Sequence, residues 1–230
     1  MFLSFKKKTI ILVSAFVICV TSFLLVLSFA TSSATVAPSN GFVIVVDAGH
    51  GGHDGGATGV ATGARESDIN LAIARSLRGF LLQNGFEVVM TRSTRDGLYG
   101  SARTGRKMRD MEERRRIINS ASPDLVVSIH QNSFPSPRER GPQVFHAPNS
   151  DAGKVAAQTM QQTMNAALNS TRHARGGDYF ILQATNYLSI LVESGFLTNP
   201  EEDRLLNTAQ HQEKIAFTIF KGIVSILMGG

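Results

Sequence analysis

Three short apolar runs constrain the fold of this chain more than any other feature. They are Phe42-Val43-Ile44-Val45-Val46-Asp47, Leu125-Val126-Val127-Ser128-Ile129-His130 and Ser189-Ile190-Leu191-Val192-Glu193. Each is too short for a core helix and rich in β-branched residues. Their nearly continuous apolar character predicts strands covered on both faces. Between them the period changes. Ile69, Ala72, Ile73, Leu77, Phe80 and Leu81 recur at helical spacing across 66–84, and Gly85 follows as a stop. Further strands are expected at 86–90, at 141–146 (Pro142 near its start, where a missing N–H does least harm) and at 179–182. Helices are expected in the second half of 103–120, over 152–168, and over the closing segments 201–206 and 210–227. Strands alternating with helices imply an α/β fold. The expectation is a single domain with a mostly parallel twisted sheet of about six strands flanked by helices.

An apolar N-terminal helix is expected to precede this domain. Lys6, Lys7 and Lys8 stand before an uncharged run from Thr9 to Ala30. A helix of that length can span a bilayer, with its basic flank in the cytoplasm and the remainder outside. Residues 1–30 therefore read as a signal anchor or a signal peptide. The length of the run favours the anchor, and small residues between Ala30 and Ala37 offer cleavage sites. Residues 31–41, rich in Ser, Thr, Ala and Pro, read as a linker, and 42–230 as the folded domain. Either reading places that domain in an extracytoplasmic space, with membrane contact through the N-terminal segment if it is not cut.

The net charge of +5 and pI of about 9.7 suit an anionic partner: nucleic acid, anionic lipid or an acidic wall polymer. The absence of Trp weighs mildly against a single-stranded nucleic-acid binder, and none is expected. The single cysteine, Cys19, lies in the apolar run and reads as a small apolar side chain. It excludes an internal disulfide, a cysteine-based zinc site and a cysteine nucleophile in the folded part.

The chemistry collects at strand ends. In open α/β sheets, ligands bind beyond the carboxyl ends of the strands. The first predicted strand runs into Asp47-Ala48-Gly49-His50-Gly51-Gly52, the third into His130-Gln131-Asn132, and the last into Glu193-Ser194-Gly195. Glu66 opens the first long helix after a glycine-rich loop and can fold back over the same edge. Two imidazoles and a carboxylate are a standard ligand set for catalytic zinc, and a further carboxylate can move protons. Each residue also has a plainer reading. His50 and His130 can be hydrogen-bonded loop residues, and Glu66 a helix-opening carboxylate favoured by the dipole. Glu193 is the least ordinary, because a carboxylate in an apolar strand needs a partner.

At these motifs the chain resembles the zinc-dependent N-acetylmuramoyl-L-alanine amidases of the third amidase family. The matching pieces are VDAGHGGHDGGATG (46–59), Glu66, VMTRSTRD (89–96), RRIINSASPDLVVSIHQNSF (115–134) and SILVESGFLTNPEED (189–203). The likeness runs from Val43 to Leu227. It implies Zn2+ held by His50, Glu66 and His130, with Glu193 as catalytic acid/base. It also implies hydrolysis of the amide between the lactyl group of N-acetylmuramic acid and L-alanine in peptidoglycan. Asn132 is a candidate for orienting substrate or His130, with a turn role as the alternative.

Ser67 stands where the family often has Lys, and Ile118 where a small residue often precedes Asn119. No inserted regulatory helix separates His130 from Glu193, and no wall-binding repeat is read. This plan most resembles the spore-cortex, germination-specific members. That likeness implies removal of peptides from muramic acid on the way to muramic δ-lactam. A zinc wall peptidase, a vegetative autolysin and a non-catalytic wall-binding protein are the rival readings, and Glu193 argues against the last. An activating partner protein is left open. His53, His146, His173 and His211 are expected in surface or structural roles. The basic stretch from Arg103 to Arg116 is expected as a solvated helix face, with a contact to carboxylates or phosphates of the wall as the alternative.

Overall fold

The computed structural model describes residue 14, residues 16–21 and residues 39–229. Most of the N-terminal apolar run and of the linker lies outside the described residues. Among the described residues no helix is long and apolar enough to cross a membrane.

The long apolar runs form the centre of one six-stranded sheet, ordered β2-β1-β3-β6-β4-β5. These strands are β1 (Val43–Ala48), β2 (Glu87–Met90), β3 (Leu125–Asn132), β4 (Gln143–His146), β5 (Arg175–Gly176) and β6 (Ser189–Phe196). All pairings are parallel except β4 against β6. The helices are α1 (Glu66–Gln83), α2 (Arg106–Ala121), α3 (Asp151–Leu168), α4 (Phe180–Gln183), α5 (Pro200–Leu206) and α6 (Ala209–Met228). Period-two alternation sorts the strand residues onto two faces. Ile44, Val46, Val127, Ile129, Ile190 and Val192 join the larger core. On the helical side that core takes Ile73 and Leu77 of α1, Met160 and Met164 of α3, and Ile215 and Ile219 of α6. Val45, Val126 and Leu191 face the smaller core, with Ile118 of α2 and Ile181 and Leu182 of α4. This second face is thinly covered. Asp47, Ser128, His130 and Glu193 share its strand parity, so polar groups collect where the cover is incomplete.

Local chemistry ends the helices where expected. Gly85 takes φ 79° after α1, at the stop read from the sequence. Asn199 caps α5 by accepting from the backbone N–H groups of Glu201 and Glu202, and Pro200 occupies the first turn.

Two expectations are corrected. The segment 179–182 is not a strand: Phe180–Gln183 is a short helix, closed by Leu182 N–H to Tyr179 O (3.1 Å) and Ala184 N–H to Phe180 O (2.8 Å). A four-residue apolar run carries too little periodicity to separate the two states. The sixth strand is instead the pair Arg175–Gly176, alongside β4. The basic stretch is not uniformly solvated either. Arg114 is wholly buried beneath the strand ends, because Asp47 and Asp110 neutralise it there.

Candidate active site

The loop after β1 turns through a left-handed residue. His50 has φ 60°, a conformation that costs a non-glycine residue about 1–3 kcal/mol. Two buried guanidinium groups hold the loop in place. Arg114 donates to the carbonyls of Ala48 (2.9 Å) and His50 (2.7 Å). Arg92 donates to Ala48 (2.8 Å), Gly49 (2.9 Å) and Ser67 (2.8 Å). Arg114 is anchored in turn by Asp47 (2.5 Å) and Asp110 (2.6 Å). Ser128 (2.6 Å) and Thr91 (2.7 Å) donate to Asp47 as well. Burial is the largest single influence and raises the Asp47 pKa, but the Arg114 charge, the Ser128 and Thr91 hydroxyls and His130 together outweigh it and lower the pKa to about 2.

On this base three side chains converge. His50 Nε2 lies 3.2 Å from Glu66 Oε1, and His130 Nδ1 lies 2.9 Å from the same oxygen. One donor atom from each of His50, Glu66 and His130 lies within 4.8 Å of the others. A glycine permits the approach: a Cβ on Gly49 would lie 2.2 Å from His130 Nε2. Glu66 is buried and its other oxygen accepts from Ala57 N–H (2.8 Å). Burial would raise its pKa, yet His130 and His50 hold it well below the carboxylate range. Burial would likewise depress His50, but Glu66 and Asp54 raise it.

The cluster fits a zinc ion. A tetrahedral ion with ligand bonds of ~2.1 Å sets its donors about 3.4 Å apart, close to the two Glu66 distances. The second ring nitrogen of His50 meets Asp54 Oδ1 at 3.0 Å, the carboxylate support that metal-bound imidazoles usually have.

Glu193 stands beside this cluster. The β3–β6 register pairs it with His130, so both side chains leave the same face of the sheet. It is buried, and its Oε2 has no hydrogen-bond partner. Burial raises its pKa to about 7; the Glu66 charge adds to this, while His130 and His50 oppose it. A group so poised can accept and return a proton near neutrality. Asn132 is placed differently. Its Oδ1 accepts from Ser133 N–H (2.8 Å) and its carbonyl from Leu197 N–H (2.9 Å), at a shift in the β3–β6 register. These contacts tie the end of β3 to the segment that follows β6. His53, His146, His173 and His211 lie outside the three-residue cluster.

Sequence reading missed Arg92, Arg114 and Asp54 as parts of the site. Arg92 lies within VMTRSTRD (89–96), and Asp54 four residues after His50 was a usable signal. Nothing local distinguishes Arg114 from its solvated neighbours.

Known proteins share both the sequence pattern and the fold. The N-acetylmuramoyl-L-alanine amidase family profile matches residues 44–225. The germination-specific N-acetylmuramoyl-L-alanine amidase of Bacillus subtilis is 35% identical over 192 residues, covering 81% of this chain and 80% of that protein. The N-acetylmuramoyl-L-alanine amidase AmiA of Escherichia coli is 29% identical, covering 80% and 75% respectively. The structure of the CwlD amidase from Clostridioides difficile, solved in complex with the GerS lipoprotein, superposes with a TM-score of 0.79. It is 32% identical and covers 82% of this chain and all of that one. With the profile spanning all but the first residue of the sheet and every residue of the cluster, this chain belongs to the N-acetylmuramoyl-L-alanine amidase family.

Proposed function

We propose that this amidase cleaves the lactyl–L-alanine amide with zinc held by His50, Glu66 and His130, and with Glu193 as acid and base. One observation carries the reading. Two imidazoles and a carboxylate converge within 4.8 Å, and the neighbouring strand presents a buried carboxylate oxygen that has no partner. A zinc ion there would supply a Lewis acid for the scissile carbonyl and would acidify water at neutral pH. The chain's own residues do the rest. Asp54 fixes the His50 ring and leaves Nε2 facing Glu66. Arg114 holds the His50 carbonyl, and Arg92 the Ala48 and Gly49 carbonyls just before it. Glu193 takes a proton from the attacking water and delivers it to the departing L-alanine nitrogen.

We place the reaction outside the cytoplasm, in spore-cortex maturation toward muramic δ-lactam. Support comes from the 35% identity to a germination-specific amidase and the likeness to CwlD. The GerS complex of that protein supports a lipoprotein partner for this chain too. The N-terminal segment, as an anchor or a signal peptide, would deliver it to that side.

The test is mass spectrometry of cortex and vegetative peptidoglycan digested by the full-length protein, with and without chelator. Intact stem peptides beginning at L-alanine are expected, and chelator should abolish them. Cleavage between amino acids would instead indicate a peptidase. Glu193→Gln should keep its zinc, measured by elemental analysis, and lose roughly 10³-fold in kcat. Normal activity in that variant would sink the mechanism, and loss of metal would recast Glu193 as a ligand. Spores whose only copy carries Glu193→Gln should lack muramic δ-lactam.

A further inference from the structure

A cavity of about 550 Å³ opens beside His50 and His130, within the usual ~300–1,000 Å³ of small-ligand sites. Met111, Tyr179 and Ile181 form its apolar wall, and Arg106 and Lys107 of α2 line it as well. The charges around it are unevenly satisfied. Asp47 and Asp110 are neutralised by Arg114, and Asp54 is engaged with His50. Asp178 accepts from Gln183 at 2.5 Å. Further along α2, Arg115 and Arg116 pair with Glu112 and Glu113. Among the described residues neither Arg106 nor Lys107 forms an ion pair, although the Lys107 charge is near enough to help lower the Asp54 pKa.

Arg106 is nevertheless held in place. Its Nε donates to Ala102 O (2.9 Å), and its guanidinium lies 5.6 Å from the Tyr99 ring centroid. Tyr99 is itself fixed, since its hydroxyl accepts from His53 N–H (2.8 Å). The terminal nitrogens of Arg106 have no partner among the described residues, so a preorganised fork is free to bind a carboxylate.

We infer that this cavity receives the peptide half of the substrate, and that Arg106 and Lys107 bind a free carboxylate of that peptide beyond L-alanine. The inference rests on the amidase reading above. In the uncleaved substrate the lactyl group is held as an amide and the sugar is neutral, its lactyl carboxylate appearing only on hydrolysis, whereas the stem peptide already carries free carboxylates. Before cleavage only the peptide gives two cations without an ion-pair partner a function.

The test titrates the full-length protein with the free stem peptide and with the same peptide amidated at its carboxylates, by calorimetry. It also compares kcat/KM on the two corresponding muropeptides. The wild type should prefer the carboxylate form by about tenfold or more, with the preference shrinking at high salt. Arg106→Gln with Lys107→Gln should reduce the ratio to about one. Arg109→Gln should keep it, because that cation lies on the same helix but not on the cavity. Equal binding of both peptides by the wild type, no binding of either, or an undiminished ratio in the double variant would overturn the inference. Failure to release stem peptide would instead count against the amidase reading, and the calorimetry would still report on the cations.

Discussion

Replacing Arg114 with Met should turn the support beneath the active-site loop into a liability. The guanidinium is wholly buried and joins Asp47, Asp110 and the carbonyls of Ala48 and His50. Met preserves the length of the side chain but leaves Asp47 as a buried carboxylate with only hydroxyl partners. Removing one member of a buried ion pair typically costs about 3–5 kcal/mol. Ser128 and Thr91 still donate to Asp47, so the low end, about 3 kcal/mol at pH 7, is expected. The pH dependence gives a second signature. In the wild type, Asp47 is depressed from an ordinary 3.8 to about 2, a shift worth about 2 kcal/mol. That stability is present above the unfolded pKa and is lost as pH falls from about 4 toward 2. Without Arg114 the strongest influence lowering the Asp47 pKa is gone, so that pKa rises and the contribution shrinks. The variant should then gain less stability than the wild type as pH rises from about 2 toward 5, and its deficit should be smaller near pH 3 than at pH 7. Urea unfolding between pH 3 and 8 measures both effects. Asp47→Asn combined with Arg114→Met should be less damaged than Arg114→Met alone. A deficit under about 1 kcal/mol at pH 7, with an unchanged pH profile, would refute the reasoning.

Other expectations follow from single contacts. Gly49→Ala should displace the His130 ring, since the new Cβ would lie 2.2 Å from Nε2; zinc affinity by chelator competition should fall at least tenfold. Asn199→Ala should cost about 1 kcal/mol by removing the cap of α5, read as a lower urea midpoint at unchanged slope. Leu77→Ala, in the larger core and fully buried, should cost about 2–5 kcal/mol in the same assay while leaving zinc binding intact.

Much of the site was visible in local patterns. Apolar runs marked β1, β3 and β6, and the residues at and after their ends, His50, His130 and Glu193, fell where parallel sheets bind ligands. Glu66 was legible as the opening residue of α1, and Gly85 as the end of its spacing. These features depend on periodicity and chain direction, which neighbouring residues carry. Tertiary structure alone decided the rest. Phe180–Gln183 is a helix because Ile181 and Leu182 cover the thinner sheet face, not because four residues prefer that state. Arg114 is buried while Arg115 and Arg116 are solvated because its position on α2 faces Asp47, 67 residues away in sequence. Glu193 differs from other carboxylates through burial beside His130, set by strand register. The cavity and its two unpaired cations exist only where α2 and α4 leave that face open. Residue type and spacing determined the candidate chemistry; long-range packing determined which charges are paired, and so which remain to act.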